Sequence, residues 1–543
     1  MNPLLPNVFV SVRRVFWLWL MLSALPGFAA TQVNIWTNEA GGKWESANWL
    51  LGVPPDASQS VQIFNDPSKS VTVDAVTTAT APASLNVDDL LVRSYSDSVN
   101  MLLLDHADLA TPLTVANGLT IGANGVLANL HSGLIVNAGG LNITDGQLVQ
   151  DDGFVIATNT SAFITGALVL SNGWLQVSNV YLGGNSPGTW NQYGGDASAY
   201  AVQVGDTGNY TATGAGSFNL FGGKLHSATV RVGGQNTYGP FVQQGGTNST
   251  GNLTVAGFYN SPPSAPAHYF LSGGRLTTSN STIASSLYAV AKFEQTAGSH
   301  TVADLLNLAG ETAHATTFYI ARYNLAGGEL TARRLWIDSY ACFALTNGTV
   351  TVNEALELRG RTRHRETAWL AGGTLACANL TYSGIGVNVT QTGGALVVSN
   401  LFSFGGPPDV EPLGPATYNF TGGTLRAWDL EINSAMLIGD SDPSGRIANT
   451  GHFQLGGSLT AGNCDEQLGR FILASNATIN LAGHAARLAF ANSSGESWAT
   501  GARLFVWNWN GATNGDGAER LQFGNSRDGL RGDQLGQIRF VNP

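Results

Sequence analysis

The sequence predicts an all-β chain folded as a parallel β-solenoid, a column of about 15 stacked rungs with a capping module at each end. Three observations support this prediction. Paired glycines recur along the chain, short runs that alternate apolar and polar residues follow them, and no amphipathic helical pattern interrupts the repeats. One repeat buries too little apolar surface to fold alone, whereas stacked repeats share a continuous core.

The repeating unit combines an aromatic or apolar residue, two glycines and a leucine. It reads YNFTGGTL from Tyr418, and copies such as FNLFGGKL from Phe218 and YNLAGGEL from Tyr323 share its order. The first glycines recur about every 26 residues between Gly194 and Gly456. Copies with glutamine two places before the glycines alternate with copies that have an apolar residue there. The glutamines are Gln192, Gln243, Gln295, Gln391 and Gln454.

Paired glycines are expected at a corner of each coil, because one of them needs positive φ and a side chain there would strike the neighbouring rung. Alternating runs such as SATVRVGG, from Ser227, then supply the strands. The predicted structural glycines are Gly222, Gly223, Gly273, Gly274, Gly327, Gly328, Gly372, Gly373, Gly422 and Gly423.

Composition restricts the class of protein. Charged residues make up 11% of the chain, 43% of residues are apolar and 68 are glycine, as is typical of exported β-rich proteins rather than disordered ones. A formal charge of -11, spread over 543 residues, argues against nucleic acid as a partner. We predict a signal peptide at 1–30, an N-terminal capping module at 31–70, solenoid repeats at 71–490 and a C-terminal β module at 491–543.

The first thirty residues have the pattern of a secretory signal. Arg13 and Arg14 precede an apolar core from Val15 to Leu25, and small residues end at Ala30. Cleavage is expected after Ala29 or Ala30, which places the mature chain outside the cell or at its surface with no membrane span. An uncleaved anchor is the alternative, although the apolar run is short for one.

Three tryptophans, Trp36, Trp44 and Trp49, stand close together in the predicted N-terminal module. They have two interpretations. Aromatic faces bind pyranose rings, so the cluster is a candidate ligand-binding patch. The first rung of a solenoid also exposes an open edge that bulky side chains must cover, so the cluster is a candidate cap as well. The capping interpretation is favoured.

The chain resembles a known group. The KWESANW opening with its Pro54–Pro55 pair, the GGxL rungs and the ending from Leu504 to Pro543 are similar to the autotransporter-associated β-strand repeat family, exported proteins abundant in Verrucomicrobia and related bacteria. The resemblance implies a right-handed β-helix outside the cytoplasm with no established chemistry. Many relatives end in a Pro-Glu-Pro sorting tail, which the sequence to Pro543 lacks, so anchoring by that route is not expected.

The densest charge lies in EALELRGRTRHRE, from Glu354 to Glu366. Four arginines occupy alternate positions, so a strand would present them on one face. Such a row matches the sulfate or carboxylate groups of an acidic polysaccharide. The alternative is a solvated edge that discourages aggregation. The four candidates for ligand binding are Arg359, Arg361, Arg363 and Arg365.

Catalytic and metal motifs are weak. Adjacent acids such as Asp88 with Asp89, Asp151 with Asp152 and Asp465 with Glu466 point to opposite faces of a strand and do not converge. The calcium-like turn at Asp440 and Asp442 lacks its glutamate, and lone histidines, His226, His268 and His300 among them, are read as surface or satisfied residues. No catalytic residue, cofactor or metal is therefore predicted. Cys342, Cys377 and Cys464 are an odd number in a long chain and imply no disulfide framework. Cys342 and Cys377 could lie one rung apart and pair, but the interpretation as buried small residues is favoured.

These patterns favour an exported structural or adhesive protein of the cell surface or matrix that binds glycans, such as surface polysaccharides, along the solenoid. The alternative function is a carbohydrate-active β-helix enzyme, a polysaccharide lyase or a glycoside hydrolase, because β-helices often carry such sites. A β-propeller is the alternative fold, but a half-period of about 26 residues does not fit a four-stranded blade. The oligomeric state is left open.

Overall fold

A computed structural model describes residues 31–543 of the chain with internal gaps. The predicted signal peptide, residues 1–30, lies outside the described residues. The gaps are 206–213, 234–238, 257–266, 285–290, 310–311, 315–316, 319–320, 339–340, 362–365, 386, 405–416, 433–434, 439–445, 482–484, 511–516 and 542–543.

The described chain is a parallel β-solenoid with three faces, which confirms the predicted fold class. In one coil the strand Gly216–Leu220 forms the first face, and the strand Lys224–Val232 bends at Ala228 to form the second and third faces. The next coil repeats this path in register, so that Phe218 lies opposite Phe241. Each residue of a coil therefore stacks on its equivalent about 4.8 Å away.

The strands of the first face run from one end of the column to the other. They are Gly42–Lys43, Lys69–Asp74, Asn100–Asp105, Ala167–Leu170, Gly188–Gln192, Gly216–Leu220, Pro240–Gln243, Ala267–Leu271, Ala291–Gln295, Ala321–Leu325, Ala341–Leu345, Glu366–Leu370, Asn388–Gln391, Thr417–Phe420, Ala435–Ile438, Ser458–Ala461, Ala477–Asn480, Leu504–Trp507 and Ile538–Val541. Two long strands, Gly125–Val136 and Gln147–Ile164, contribute to it and continue around the corner.

Bent strands cover the second and third faces of most coils. They are Trp174–Leu182, Asp196–Val204, Lys224–Val232, Thr247–Ala256, Arg275–Ala284, Ser299–Ala309, Glu329–Asp338, Thr349–Arg361, Thr374–Ile385, Ala395–Phe404, Thr424–Ile432 and Asp465–Leu473. Shorter strands serve one face each. They are Asn86–Val87, Leu113–Val115, Arg446–Asn449, Arg487–Ala491 and Arg520–Phe523 on the second face, and Gln32–Ile35, Gln59–Ile63, Asp89–Val92, Leu119–Ile121, Leu141–Ile143 and His452–Leu455 on the third.

Few other elements occur in the described chain. Thr312–His314 and Thr317–Phe318 form a small antiparallel hairpin outside the column. The helical segments are Ala75–Thr80 and Gly532–Leu535, with 3-10 turns at Pro82–Leu85 and Arg527–Gly529.

The glycine corner is confirmed. The second glycine of each pair has positive φ, +74° at Gly274, and an added Cβ there would lie 2.4 Å from the carbonyl oxygen of Gly246 in the preceding coil. Only glycine fits such a position without strain. The aligned second glycines are Gly195, Gly223, Gly246, Gly274, Gly298, Gly328, Gly348, Gly373, Gly394 and Gly423.

The prediction that Gly456 belongs to the same series of corners as Gly194 is wrong. Gly456 follows the third-face strand His452–Leu455 and precedes the first-face strand Ser458–Ala461, so it marks a different corner. Gln454 accordingly points outward, between the buried Phe453 and Leu455.

Aromatic rings form a ladder inside the first face, with adjacent centroids 4.5 to 5.6 Å apart. This spacing follows the rung spacing and adds aromatic contact to apolar burial. The ladder breaks at Ala368, whose small side chain borders an apolar cavity of about 30 Å³. The ladder consists of Trp190, Phe218, Phe241, Tyr269, Phe293, Tyr323 and Phe343.

Glutamines tie the glycine corners together from inside. The amide of Gln295 is fully buried and donates to the carbonyl oxygens of Gly298 (3.1 Å) and, one coil on, Glu329 (2.9 Å). Its oxygen accepts a 2.7 Å bond from the hydroxyl of Tyr323. Gln243 with Tyr269 and Gln391 with Tyr418 repeat the pair. These bonds account for the double period at three of the glutamines, because each of the three uses a tyrosine of the following coil.

Both ends of the column are parts of the solenoid. Strands of the predicted N-terminal module, Gln32–Ile35 and Gly42–Lys43, pair in parallel with the coils that follow, and Ile538–Val541 pairs with Leu504–Trp507. Near the C-terminal end, Trp498 packs on Phe471 with ring centroids 5.3 Å apart and donates to its carbonyl oxygen.

Candidate functional site on the second face

The N-terminal tryptophans are buried, which corrects their assignment as ligand-binding residues. Trp36, Trp44 and Trp49 are at most 2% exposed, so none of them offers a ring face to a sugar. Trp49 packs edge-on against both of the others with centroids 5.0 Å apart. Each indole nitrogen donates to a backbone carbonyl, which satisfies its polar group inside the core. The cluster closes the first coils, as the capping interpretation expects.

The structure describes only part of the arginine row. Arg359 ends the third face of its coil, where its guanidinium donates to Glu357 (2.6 Å) and lies 3.5 Å from the ring centroid of Trp336. Arg359 is thus held by neighbours in the chain itself. The backbone of Arg361 continues the strand. Arg363 and Arg365 lie outside the described residues, so the row as a binding surface stays a prediction.

The carboxylate pairs serve local structure. Asp88 accepts from Asn117 (2.6 Å), and Asp89 accepts from the backbone of Gly118 (2.9 Å). Glu466 is buried and accepts from the backbone of Ile447. Asp440 and Asp442 lie outside the described residues.

The cysteines and histidines also have structural explanations. Cys342 and Cys377 lie on the first and second faces respectively, and none of the three cysteines of the described chain forms a disulfide. Burial raises the pKa of the Cys377 thiol to about 12. His268 faces outward beside Glu294 (3.0 Å), whereas His300 is buried and hydrogen-bonded. No group of three or more His, Cys, Asp or Glu side chains suited to a metal occurs in the described part of the chain.

The second face carries a feature that the sequence analysis did not identify, an unbroken row of polar side chains pointing to solvent. We call it the polar row. Backbone pairing places its members directly opposite one another in eight successive coils, and all are exposed or half-exposed. Within the described chain none of these side chains has a hydrogen-bond partner. The members are Gln176, Ser198, His226, Ser249, Thr277, Thr301, Thr331 and Thr351.

Two exposed aromatic residues flank one end of the polar row. Trp174, 40% exposed, lies on the glycine-corner side, and Tyr200, 68% exposed, projects from the bend on the other side. The ring of Phe154 supports Trp174 from the preceding coil, with centroids 5.1 Å apart. Phe154 in turn lies over Gly133, where a Cβ would come within 2.5 Å of its ring. The Trp174 ring is therefore held in place by its neighbours.

Shallow depressions surround these aromatic residues. One, of about 510 Å³, is lined by Tyr200 and by the first four members of the polar row. The other, of about 520 Å³, lies beside Trp174 and is lined by Asp152, Asp196 and Lys224 among others. Both follow the surface of several coils, which is the geometry for a long ligand rather than a small enclosed one.

Charges on the second face balance one another. Asp196 and Lys224 form an ion pair with 3.5 Å between oxygen and nitrogen. In the same column, later coils carry Arg275 and Glu329. Asp152, at the edge, accepts a 2.6 Å hydrogen bond from His131, which lowers the pKa of its carboxyl. That carboxyl is held ionised, the opposite of what a glycosidase acid requires.

A sequence signal for the polar row does exist. Its members stand three positions after the positive-φ glycine of the corner, as Thr277 does after Gly274, so the repeat reads Gly-x-x followed by a polar residue. The pattern ends where Ala376 and Val397 occupy the position.

Comparisons with protein-family models, curated proteins and solved structures found no match for this chain. Among the described helices, none has the length and apolar character needed to cross a membrane.

Proposed function

We propose that the protein is an exported structural or adhesive component of the cell surface or surrounding matrix, and that it binds glycans along the solenoid. The observation that carries the proposal is the second face, where the exposed rings of Trp174 and Tyr200 stand beside the solvent-facing polar row. Sugars present both apolar ring faces and hydroxyl groups, and this surface supplies a partner for each.

Export rests on the N-terminal segment. Cleavage after Ala29 or Ala30 leaves a mature chain that begins at Ala30 or Thr31, and N-terminal sequencing of protein recovered outside the cell tests this. Kinship with the autotransporter-associated β-strand repeat family remains part of the proposal, supported by the glycine corners and the ending from Leu504.

Two measurements on one sample separate adhesion from catalysis. Mature protein is mixed with insoluble cellulose, chitin and xylan, pelleted, and the supernatant is assayed for new reducing ends and unsaturated sugars. The proposal predicts retention in the pellet without product. Product release would support the lyase or hydrolase alternative, in which Asp152 and Asp196 are the first residues to replace. If the protein is not retained by any polysaccharide and releases no product from any, soluble polysaccharides included, both functions are contradicted.

A further inference from the structure

We infer that the polar row binds one extended, uncharged polysaccharide chain that lies parallel to the column axis, with about one sugar residue for each coil. This inference rests on the proposed function and specifies its ligand class and binding orientation. Four features of the second face support it.

The first feature is the repeat of the row. Members from Ser249 to Thr351 are hydroxyl residues in five consecutive coils, paired in register without a shift at these positions. Neighbouring strands lie about 4.8 Å apart, so the hydroxyl groups recur at nearly that interval. This interval is comparable to the length of one pyranose in an extended chain. A ligand with the same repeat makes equivalent contacts in each coil.

The second feature is that the hydroxyl groups of the row are available to a ligand. Thr277, Thr301 and Thr331 are half-exposed, and their hydroxyl groups have no partner within the described chain. Threonine is stiff at χ1, so these groups lose little conformational freedom when a ligand binds. By contrast, the buried hydroxyl group of Ser281 is hydrogen-bonded within the chain, to His300 (3.2 Å).

The third feature is charge. The column beside the row holds two acidic and two basic side chains, Asp196, Lys224, Arg275 and Glu329. Their formal charges cancel, so the face offers no field that favours a polyanion. An uncharged glycan fits this surface better than an acidic one, in contrast to the arginine row.

The fourth feature is the aromatic end of the row. Trp174 and Tyr200 stand on opposite sides of its first two members, Gln176 and Ser198. Their exposed rings provide stacking surfaces at one end, and the hydroxyl row extends away from them up the column. A chain anchored on these rings can follow the row through the later coils.

The test uses calorimetric titration of the mature protein with neutral oligosaccharides of two to six residues from cellulose, xylan and mannan. Alginate oligosaccharides of the same lengths are the charged comparison. The test variant combines Thr277→Val, Thr301→Val and Thr331→Val, which removes three hydroxyl groups and keeps side-chain shape. The matched control combines Thr254→Val and Thr282→Val, which alters equivalent outward positions on the third face.

We expect affinity to rise with each added sugar for at least one series, and the triple variant to bind the hexamer at least about tenfold more weakly, with little length dependence. The control is expected to bind like the wild type. Unchanged hexamer binding by the triple variant, an equal loss in the control, or tighter binding of alginate than of every neutral series would overturn the inference while leaving glycan binding intact. If the protein binds none of the glycans tested, the proposed function is overturned as well.

Discussion

The hydroxyl of Tyr323 donates a 2.7 Å hydrogen bond to the side-chain oxygen of Gln295 in the preceding coil. The same hydroxyl accepts from Nδ1 of His300 (3.0 Å), whose Nε2 accepts from Ser281. Because the proton of this hydroxyl is directed to Gln295, Nδ1 of His300 must carry a proton, and complete burial favours the neutral form of the ring, so that Nε2 is the acceptor. A buried polar chain thus links three successive coils and ends on the glycine corner.

Replacing Gln295 by leucine tests this link. Leucine occupies the equivalent position in the coils on both sides, at Leu271 and Leu325, so the change fits the shape of the core. The substitution leaves the Tyr323 hydroxyl without its acceptor and is expected to cost roughly 2 kcal/mol. Adding Tyr323→Phe should cost less than the sum of the two single changes, as measured by urea unfolding. Additive costs would contradict the hydrogen-bonded pair.

At Gln192 the tyrosine partner is absent, so a substitution that adds it tests the same hydrogen bond by a gain of stability. Gln192 has no tyrosine in the following coil, where Phe218 stands instead, and its buried side-chain oxygen lacks a partner in the described chain. Phe218→Tyr is expected to supply that partner and raise stability by about 1 kcal/mol.

The control for this change is Phe343→Tyr. Leu325 lies below Phe343 in the place of a glutamine, so the new hydroxyl would be buried without a partner. It is expected to lose about 1 to 2 kcal/mol. If both substitutions change the unfolding midpoint in the same direction, the pairing rule is wrong.

We expect the stability lost on replacing glycine by alanine to depend strongly on whether the glycine lies at the corner. Gly274→Ala places a Cβ against the Gly246 carbonyl at positive φ, and a loss of about 2 kcal/mol or more is expected. Gly532 begins a short helix, and a Cβ added there would meet no neighbouring atom within 4 Å, so Gly532→Ala is expected to leave the stability unchanged. Hydrogen exchange locates the effect, which should concentrate in the coils next to Gly274 because each coil contacts only its neighbours. Equal effects at the two positions would count against the corner.

Because His300 is buried, we expect the folded protein to lose stability in acid. Complete burial lowers the pKa of its imidazole from 6.5 to about 3. The unfolded chain takes up a proton below pH 6.5 and the folded chain does not, so stability is full above that pH and falls by about 1.4 kcal/mol per unit between 6.5 and 3. About 2 kcal/mol should be lost by pH 5.

The measurement is urea unfolding of the wild type and of His300→Leu across this range. Leucine matches the neighbouring positions Leu276 and Leu330. The variant is expected to have the shallower pH dependence, and identical pH dependence would show that His300 does not titrate on unfolding.

The repeat structure could be predicted from the sequence because its causes are local. Alternation along a run such as that from Ser227 identifies a strand, and paired glycines such as Gly273 and Gly274 identify a turn that excludes side chains. The alternation of glutamine with apolar residues was also visible. Its cause was not, because Gln295 and Tyr323 are 28 residues apart and meet only when coils stack in register.

The candidate site was harder to predict for the same reason. The tryptophans near Trp44 and the arginines near Arg359 are conspicuous in the sequence, yet the tryptophans close the core and Arg359 packs on Trp336. Serine and threonine at Ser249 or Thr301 are unremarkable one at a time. They form a surface only because the column places one from each coil on the same line.

The most direct test of the account is retention of the mature protein on insoluble neutral polysaccharide after Trp174→Ala with Tyr200→Ala. Trp428→Ala is the matched control, because Trp428 is 56% exposed at the bend of a later coil beyond the polar row. We expect at least about tenfold weaker retention for the double variant and no change for the control. Retention of the double variant at the wild-type level, or its loss in the Trp428 variant alone, would contradict the placement of glycan binding on the second face.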